Sequence, residues 1–355
     1  MEKIRSFLLI VMLAVVTSAM AHDFSVTADG GTLFFTITDT TRNTVMVTYK
    51  GSIADGVTNE VTGDVEIPSK VKHGNAVYTV TAINAKTFSG ATELTGIIIP
   101  STVSSIGDFA FEGCTKLSKI ILPGSQPKMG QGIFFKCTAI RDVSFGSDWK
   151  SIDLKAYRWS DSLKAITVPA KVEKLMNMKS LRSLESITVD VNNSRFSSVG
   201  GVLYDKSGKI LYGVPRGYAG ALKVQDGTET VTIGALIDCP NVTLIDIPAS
   251  VKTFSFRETS RMTNLDEIIF RPEEPFVTAY IDGDGIFLLQ VANKDVMITV
   301  PKEVKKDYAS ALTITAGEYY ESTAEGQVPY YVGDGQLPSI KNINGVKNIE
   351  TYEKD

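Results

Sequence analysis

The chain has 355 residues, 43% hydrophobic and 21% charged, enough apolar material for a large core and too much for wholesale disorder. Its 36 Lys and Arg stand against 40 Asp and Glu, a net charge of −4 without the basic stripe that a sequence-independent nucleic-acid binder needs for counterion release. Two histidines and three cysteines leave little material for metal sites or His-based catalysis.

Met1–Ala21 reads as a secretory signal. Lys3 and Arg5 give a positive start, Phe7–Val16 is an apolar run too short to span a bilayer, and Ala19-Met20-Ala21 offers a small-x-small cleavage pattern. Cleavage there leaves His22 first and, with Lys3 and Arg5 lost against Glu2, a net charge of −5. No later apolar stretch approaches the roughly 18 residues of a spanning helix, so no transmembrane segment is expected in the mature chain. Residues 22–64 read as a β-hairpin cap. In "LFFTITDTTRNTVMVTY" two β-rich runs flank the turn Thr40–Asn43.

From Val65 to Pro301 a short strand followed by a turn recurs. Strand starts at Ile97, Ile120, Val143 and Ile166 are 23 residues apart, as are those at Leu222, Ile245 and Ile268. Less regular copies begin at Val65, Ile187 and Ile298, giving about ten units. Apolar residues keep register inside each unit: Ile106, Met129, Ile152, Leu175, Val231 and Phe254 at one offset, Leu94, Leu117, Ile140, Leu163, Leu184, Val242 and Leu265 at another. Such fixed offsets suit a solenoid in which each coil buries its face against its neighbours. Alternation along a strand sends Ile97 and Ile99 inward and the middle residue outward. The outward row then reads Ile98, Ile121, Ser144, Thr167, Thr188, Lys223, Asp246, Ile269.

The stretch "IIIPSTVSSIGDFAFEGCTKLSKIILP" resembles the BspA-type bacterial leucine-rich repeat, with its strand ending in Ile-Pro, its Val-x-x-Ile-Gly stretch and its Ala-Phe-x-Gly-Cys segment. The resemblance runs over roughly residues 64–301, and "FSSVGGVLYDKSGKILYGVPRG" (Phe196–Gly217) resembles the hairpin insert of that family. Around Asp148–Met178 the pattern departs: Trp149, Trp159 and a Met-Asn-Met run replace the Ala-Phe-x-x-Cys segment. The resemblance implies a repeat solenoid of parallel stacked short strands, with a β-rich N-terminal cap and a short C-terminal cap at 302–336. It also implies an exported or cell-surface protein engaged in adhesion or contact between cells. Residues 337–355 read as a flexible tail.

Candidate chemistry is thin. Cys114, Cys137 and Cys239 each lie 17 residues after a strand start, so they are one repeat position seen three times. They read either as a ladder of small buried residues or, for the first two, as a bridge. Stacked coils bring equivalent Cα atoms within about 5 Å, but ladder side chains point the same way. Asp282-Gly283-Asp284-Gly285 resembles the start of a calcium loop, but loop position twelve falls on Asn293 instead of Glu. His73 sits in a tight turn with Gly74 and Asn75. No phosphate-cradling glycine motif, nucleophile elbow or zinc helix occurs, so neither catalytic residues nor a cofactor are expected. The candidate binding residues are Ile98, Ile121 and Ile269 on the outward row and Trp149, Tyr157 and Trp159 in the irregular coil. The expected partner is an extracellular protein or glycan, not nucleic acid.

Overall fold

A computed structural model of the chain describes residues 22–28, 30–52, 56–58, 60–232, 234–236, 238–254, 262–272, 287–290, 296–304, 312–315 and 349–352. The signal segment, the Asp282–Gly285 motif and most of 302–336 lie outside them.

Short strands fall where the repeat puts them. Gly63–Glu66, Leu94–Ile98, Lys119–Ile121 and Asp142–Ser144 pair in parallel, aligning Val65, Ile97, Ile120 and Val143. Ala165–Val168 and Ser186–Val189 follow, with Ile166 beside Ile187. Past the insert, Gly220–Lys223, Val242–Ile247, Glu267–Phe270 and Met297–Pro301 align Leu222, Ile245, Ile268 and Ile298. The protein is a solenoid of stacked parallel strands. Ile349–Tyr352, read from sequence as part of a flexible tail, is a further strand in parallel with Met297–Pro301. Its Ile349 falls opposite Ile298 and so extends the same ladder, whatever the polar composition around it.

A second side of each coil carries another parallel ladder, in which Ile83, Ile106 and Met129 align. The N-terminal cap feeds this one. Phe24–Ala28, Gly31–Asp39 and Thr44–Thr48 form an antiparallel meander, one strand more than a hairpin, and its last strand lies parallel to Ala76–Ile83. A third side binds coil to coil through its turns: Phe88 N donates to Ala110 O (2.7 Å) and Phe111 N to Ile133 O (3.0 Å). With backbone bonds on three sides, each coil satisfies its polar main chain on its neighbours.

Between the ladders runs the core. Phe88, Phe111, Phe134 and Tyr157 are buried and stack in sequence, centroids 5.1, 5.5 and 5.1 Å apart and planes within 22°. Each such pair contributes about 0.5–1.5 kcal/mol beyond the area it buries. The turn before this row needs left-handed backbone: Lys86, Phe109 and Gly132, spaced 23 apart, have φ of 57°, 54° and 56°. Outside the core, Lys116–Glu93, Lys164–Glu185 and Lys209–Glu229 pair across adjacent coils at 2.7–2.8 Å, exposed contacts that contribute little each.

The insert divides this core. Asn193, fully buried, fixes its entry: the side-chain amide donates to Pro169 O and Val172 O while the side-chain oxygen accepts from Arg195 N and Phe196 N. Phe196–Val199 and Val202–Asp205 then pair as a hairpin. Alternation makes the second strand a two-sided wall. Its Leu203 packs with the N-terminal cluster, its Val202 and Tyr204 with the C-terminal one.

Candidate functional site

The outward face of the first ladder takes its composition from the middle strand position. Ile97 and Ile99 are buried, whereas Ile98 between them is 38% exposed. Ile121, in register with Ile98 on the next coil, is half-buried. Ser144, Thr167, Thr188 and Lys223 continue the row exposed, and Asp246 and Ile269 half-buried. A parallel outward row carries Asp64, Gly96, Lys119, Asp142, Ala165 and Ser186. Among the described residues neither row holds an aromatic side chain. The face is therefore mixed polar and apolar, with Ile98 and Ile121 its adjacent apolar pair.

Ile98, Ile121 and Ile269 thus share one surface, as their strand positions require. Trp149 and Tyr157 do not join them. Both are core residues. Trp149 is buried, donates from Nε1 to Pro123 O (3.0 Å) and lies edge-on to Phe145. Tyr157 continues the Phe88–Phe111–Phe134 stack one coil further, and burial pushes its hydroxyl above the usual tyrosine range. The coil that departs from the sequence pattern is in register all the same. Tyr157 occupies the Phe position, and Ser160 the Cys position, where its Oγ donates to Cys137 O (3.3 Å).

Trp159 is the exception in that coil, 39% exposed. It lies edge-on to Phe135 at 5.2 Å, and Phe135 edge-on to Phe109 at 6.3 Å. Lys136 Nζ sits 5.2 Å from the Phe135 centroid and the Arg158 guanidinium 5.5 Å from that of Trp159. This aromatic and cationic strip lies on a different side of the coil from the outward strand row.

All three cysteines are buried, and none is in a disulfide. Cys114 Sγ donates to Phe88 O (3.1 Å) and Cys137 Sγ to Phe111 O (2.9 Å), the same bond one coil apart. The neighbouring Cys137 thiol and burial push the Cys114 thiol up, and burial pushes up Cys239 against the opposing pull of Lys179. A raised thiol is a poor nucleophile. Sequence reasoning passed over Lys179, whose Nζ donates to Val214 O (2.7 Å) and Ala235 O (3.3 Å) and lies 3.4 Å from Cys239 Sγ. No sequence signal distinguishes it from a surface lysine, because the insert brings its partners in from 35 and 56 residues away. Among the described residues no group of three or more His, Cys, Asp or Glu is placed to hold a metal ion. No helix among them is long and apolar enough to cross a membrane.

Against protein-family models, residues 69–198 match the BspA type leucine rich repeat region in six copies. Residues 69–198 are an array of the BspA type. No curated protein matches the chain. Solved structures that resemble it include a leucine-rich repeat protein from Bacteroides ovatus, 20% identical over 84% of this chain and 80% of that one, with a TM-score of 0.48. A leucine rich cell surface protein from Faecalibacterium prausnitzii is 19% identical over 84% and 96%, TM-score 0.38. The pneumococcal vaccine antigen PcpA is 17% identical over 84% and 100%, TM-score 0.40. Identification of the BspA-type array rests on the family match and on the 23-residue register of its strands, not on these distant likenesses.

Proposed function

We propose that the protein is an exported, non-enzymatic interaction protein that binds another protein through the outward strand face of its BspA-type solenoid. The supporting observation is the composition of that face. It runs across successive coils, sets Ile98 beside Ile121 among Ser, Thr, Lys and Asp side chains, and carries no aromatic residue among those described. Exposed neighbouring isoleucines with a polar surround suit a protein surface, whereas sugar rings call for exposed aromatic platforms. Export is supported by the Met1–Ala21 signal pattern, and a cell-surface or extracellular location by the family.

The test is a panel of extracellular matrix and cell-surface proteins probed with the mature chain and with an Ile98→Asp/Ile121→Asp double variant. Capture of a matrix protein that falls at least about tenfold in the variant, with an unchanged melting temperature, supports the reading. Capture that the variant leaves intact refutes the outward face as the site. A second reading, a glycan-binding accessory protein of a surface polysaccharide system, has the Phe109–Phe135–Trp159 strip in its favour. A glycan array that responds to the mature chain and not to a Trp159→Ala variant would favour it. Uptake by neither panel would leave a structural spacer.

A further inference from the structure

At the hairpin insert the outward sheet loses a rung. The tip turns back onto the preceding coil, where Gly201 O accepts from Ile187 N at 2.9 Å. Among the described residues Gly220–Lys223 is therefore hydrogen-bonded to a strand on one side only, by Val242–Ile247. Alternation decides which groups remain on its other edge. Gly220 N and Val224 N donate to Asn241 O and Asp246 O, both at 3.0 Å, toward the following coil. The intervening odd positions, Ala221 and Lys223, direct their N–H and C=O groups the opposite way. In agreement, Ala221 O accepts a long 3.3 Å bond from Tyr218 Oη instead of a ladder bond.

Beside that edge lies a groove of about 390 Å³, lined by Val199, Gly200 and Val202 of the hairpin and by Tyr218, Lys223 and Gln225. Val199 is half exposed. The charge is also one-sided. Asp246, the register neighbour of Lys223, is held by the Arg271 guanidinium through bonds of 2.6 and 3.0 Å. Lys223 makes no ion pair among the described residues.

We propose that this gap binds an extended segment of a partner protein, which adds as a strand beside Gly220–Lys223 and sets an acidic side chain opposite Lys223. A row of N–H and C=O groups at strand spacing is matched by another strand, which forms main-chain bonds while alternate side chains enter the groove. Apolar residues at alternate positions meet Val199 and Val202, and a carboxylate beside Lys223 completes a cross-strand pair. The inference takes the kind of partner from the reading of the solenoid as a protein binder, but names a separate place and mode of contact.

The experiment is selection from a random heptapeptide display library against the mature chain, followed by hydrogen exchange with the synthetic winners. The expected winners alternate apolar residues around a central Asp or Glu and slow amide exchange over residues 220–224. Methylating their alternate backbone nitrogens weakens binding at least about tenfold, and selection against Lys223→Glu returns a basic centre instead. Failure to enrich any peptide, protection elsewhere, or full affinity after N-methylation would overturn the inference. The Ile98→Asp/Ile121→Asp variant keeps this peptide binding, so its loss of a whole-protein partner reports on the outward face alone.

Discussion

Tyr157→Phe removes one oxygen from the centre of the aromatic stack. The ring packs on Phe134 at 5.1 Å and edge-on to Phe145 at 6.0 Å, contacts that Phe keeps. The hydroxyl is buried and reaches no acceptor or donor on the protein. An unsatisfied buried hydroxyl costs about 1–3 kcal/mol, so its removal is expected to stabilise the chain by that amount, while Tyr157→Leu, which also loses the stack, should destabilise it. The pH dependence has a definite sign. Burial raises the Tyr157 pKa above the ordinary 10.0, so the folded state holds its proton where the unfolded state releases it. This group therefore leaves stability independent of pH below 10.0 and lowers it as pH rises beyond that, at up to about 1.4 kcal/mol per pH unit. Tyr204 and Tyr218 are raised in the same direction, so the quantity to follow is the difference between wild type and variant. Denaturant unfolding at pH 7 and at pH 10 to 11 measures it. A Phe variant that is less stable by more than about 1 kcal/mol, or that loses stability with pH as steeply as wild type, would refute an unpaired phenol.

Ile247→Asp puts a carboxylate into the fully buried first ladder, where it has no partner; a loss above about 4 kcal/mol is expected in thermal unfolding, and an unchanged melting temperature would count against the ladder. Cys114, Cys137 and Cys239 should all react with a thiol reagent, but only after denaturation, as mass spectrometry of labelled protein would show; labelling of one alone would mean that the other two are bridged. Lys86→Gly places the residue that Gly132 already supplies two steps along the same row at φ near +57°, and should stabilise by about 1 kcal/mol in denaturant unfolding.

The ladders were legible because a solenoid repeats its chemistry as faithfully as its geometry. The Ile-Ile-Ile-Pro and Ile-Ile-Leu-Pro segments fix both the period and the inward face, and Ile98 and Ile121 follow from alternation alone. The coil around Trp149 was harder because Tyr and Ser stand there for Phe and Cys. The spacing held the signal all along: Tyr157 lies 23 residues after Phe134, and Ser160 23 after Cys137. Volume and a small polar atom, not residue identity, are what those places require. Lys179 and the gap beside Gly220–Lys223 could not be read because both depend on where the insert folds, and that is set by contacts far apart in sequence.

The two-sided wall at Val202–Asp205 bears on how the molecule comes apart. An uninterrupted stack passes every loosened coil on to the next, so fraying from either end travels far. Here the oily filling is partitioned, with Leu203 sealing one chamber and Val202 and Tyr204 the other. Peeling that begins near Met297–Pro301 would meet a bulkhead at Tyr204 before it reached the Phe88–Tyr157 column. The front half of the molecule would then outlive the rear, still folded and still presenting Ile98 and Ile121 on its surface.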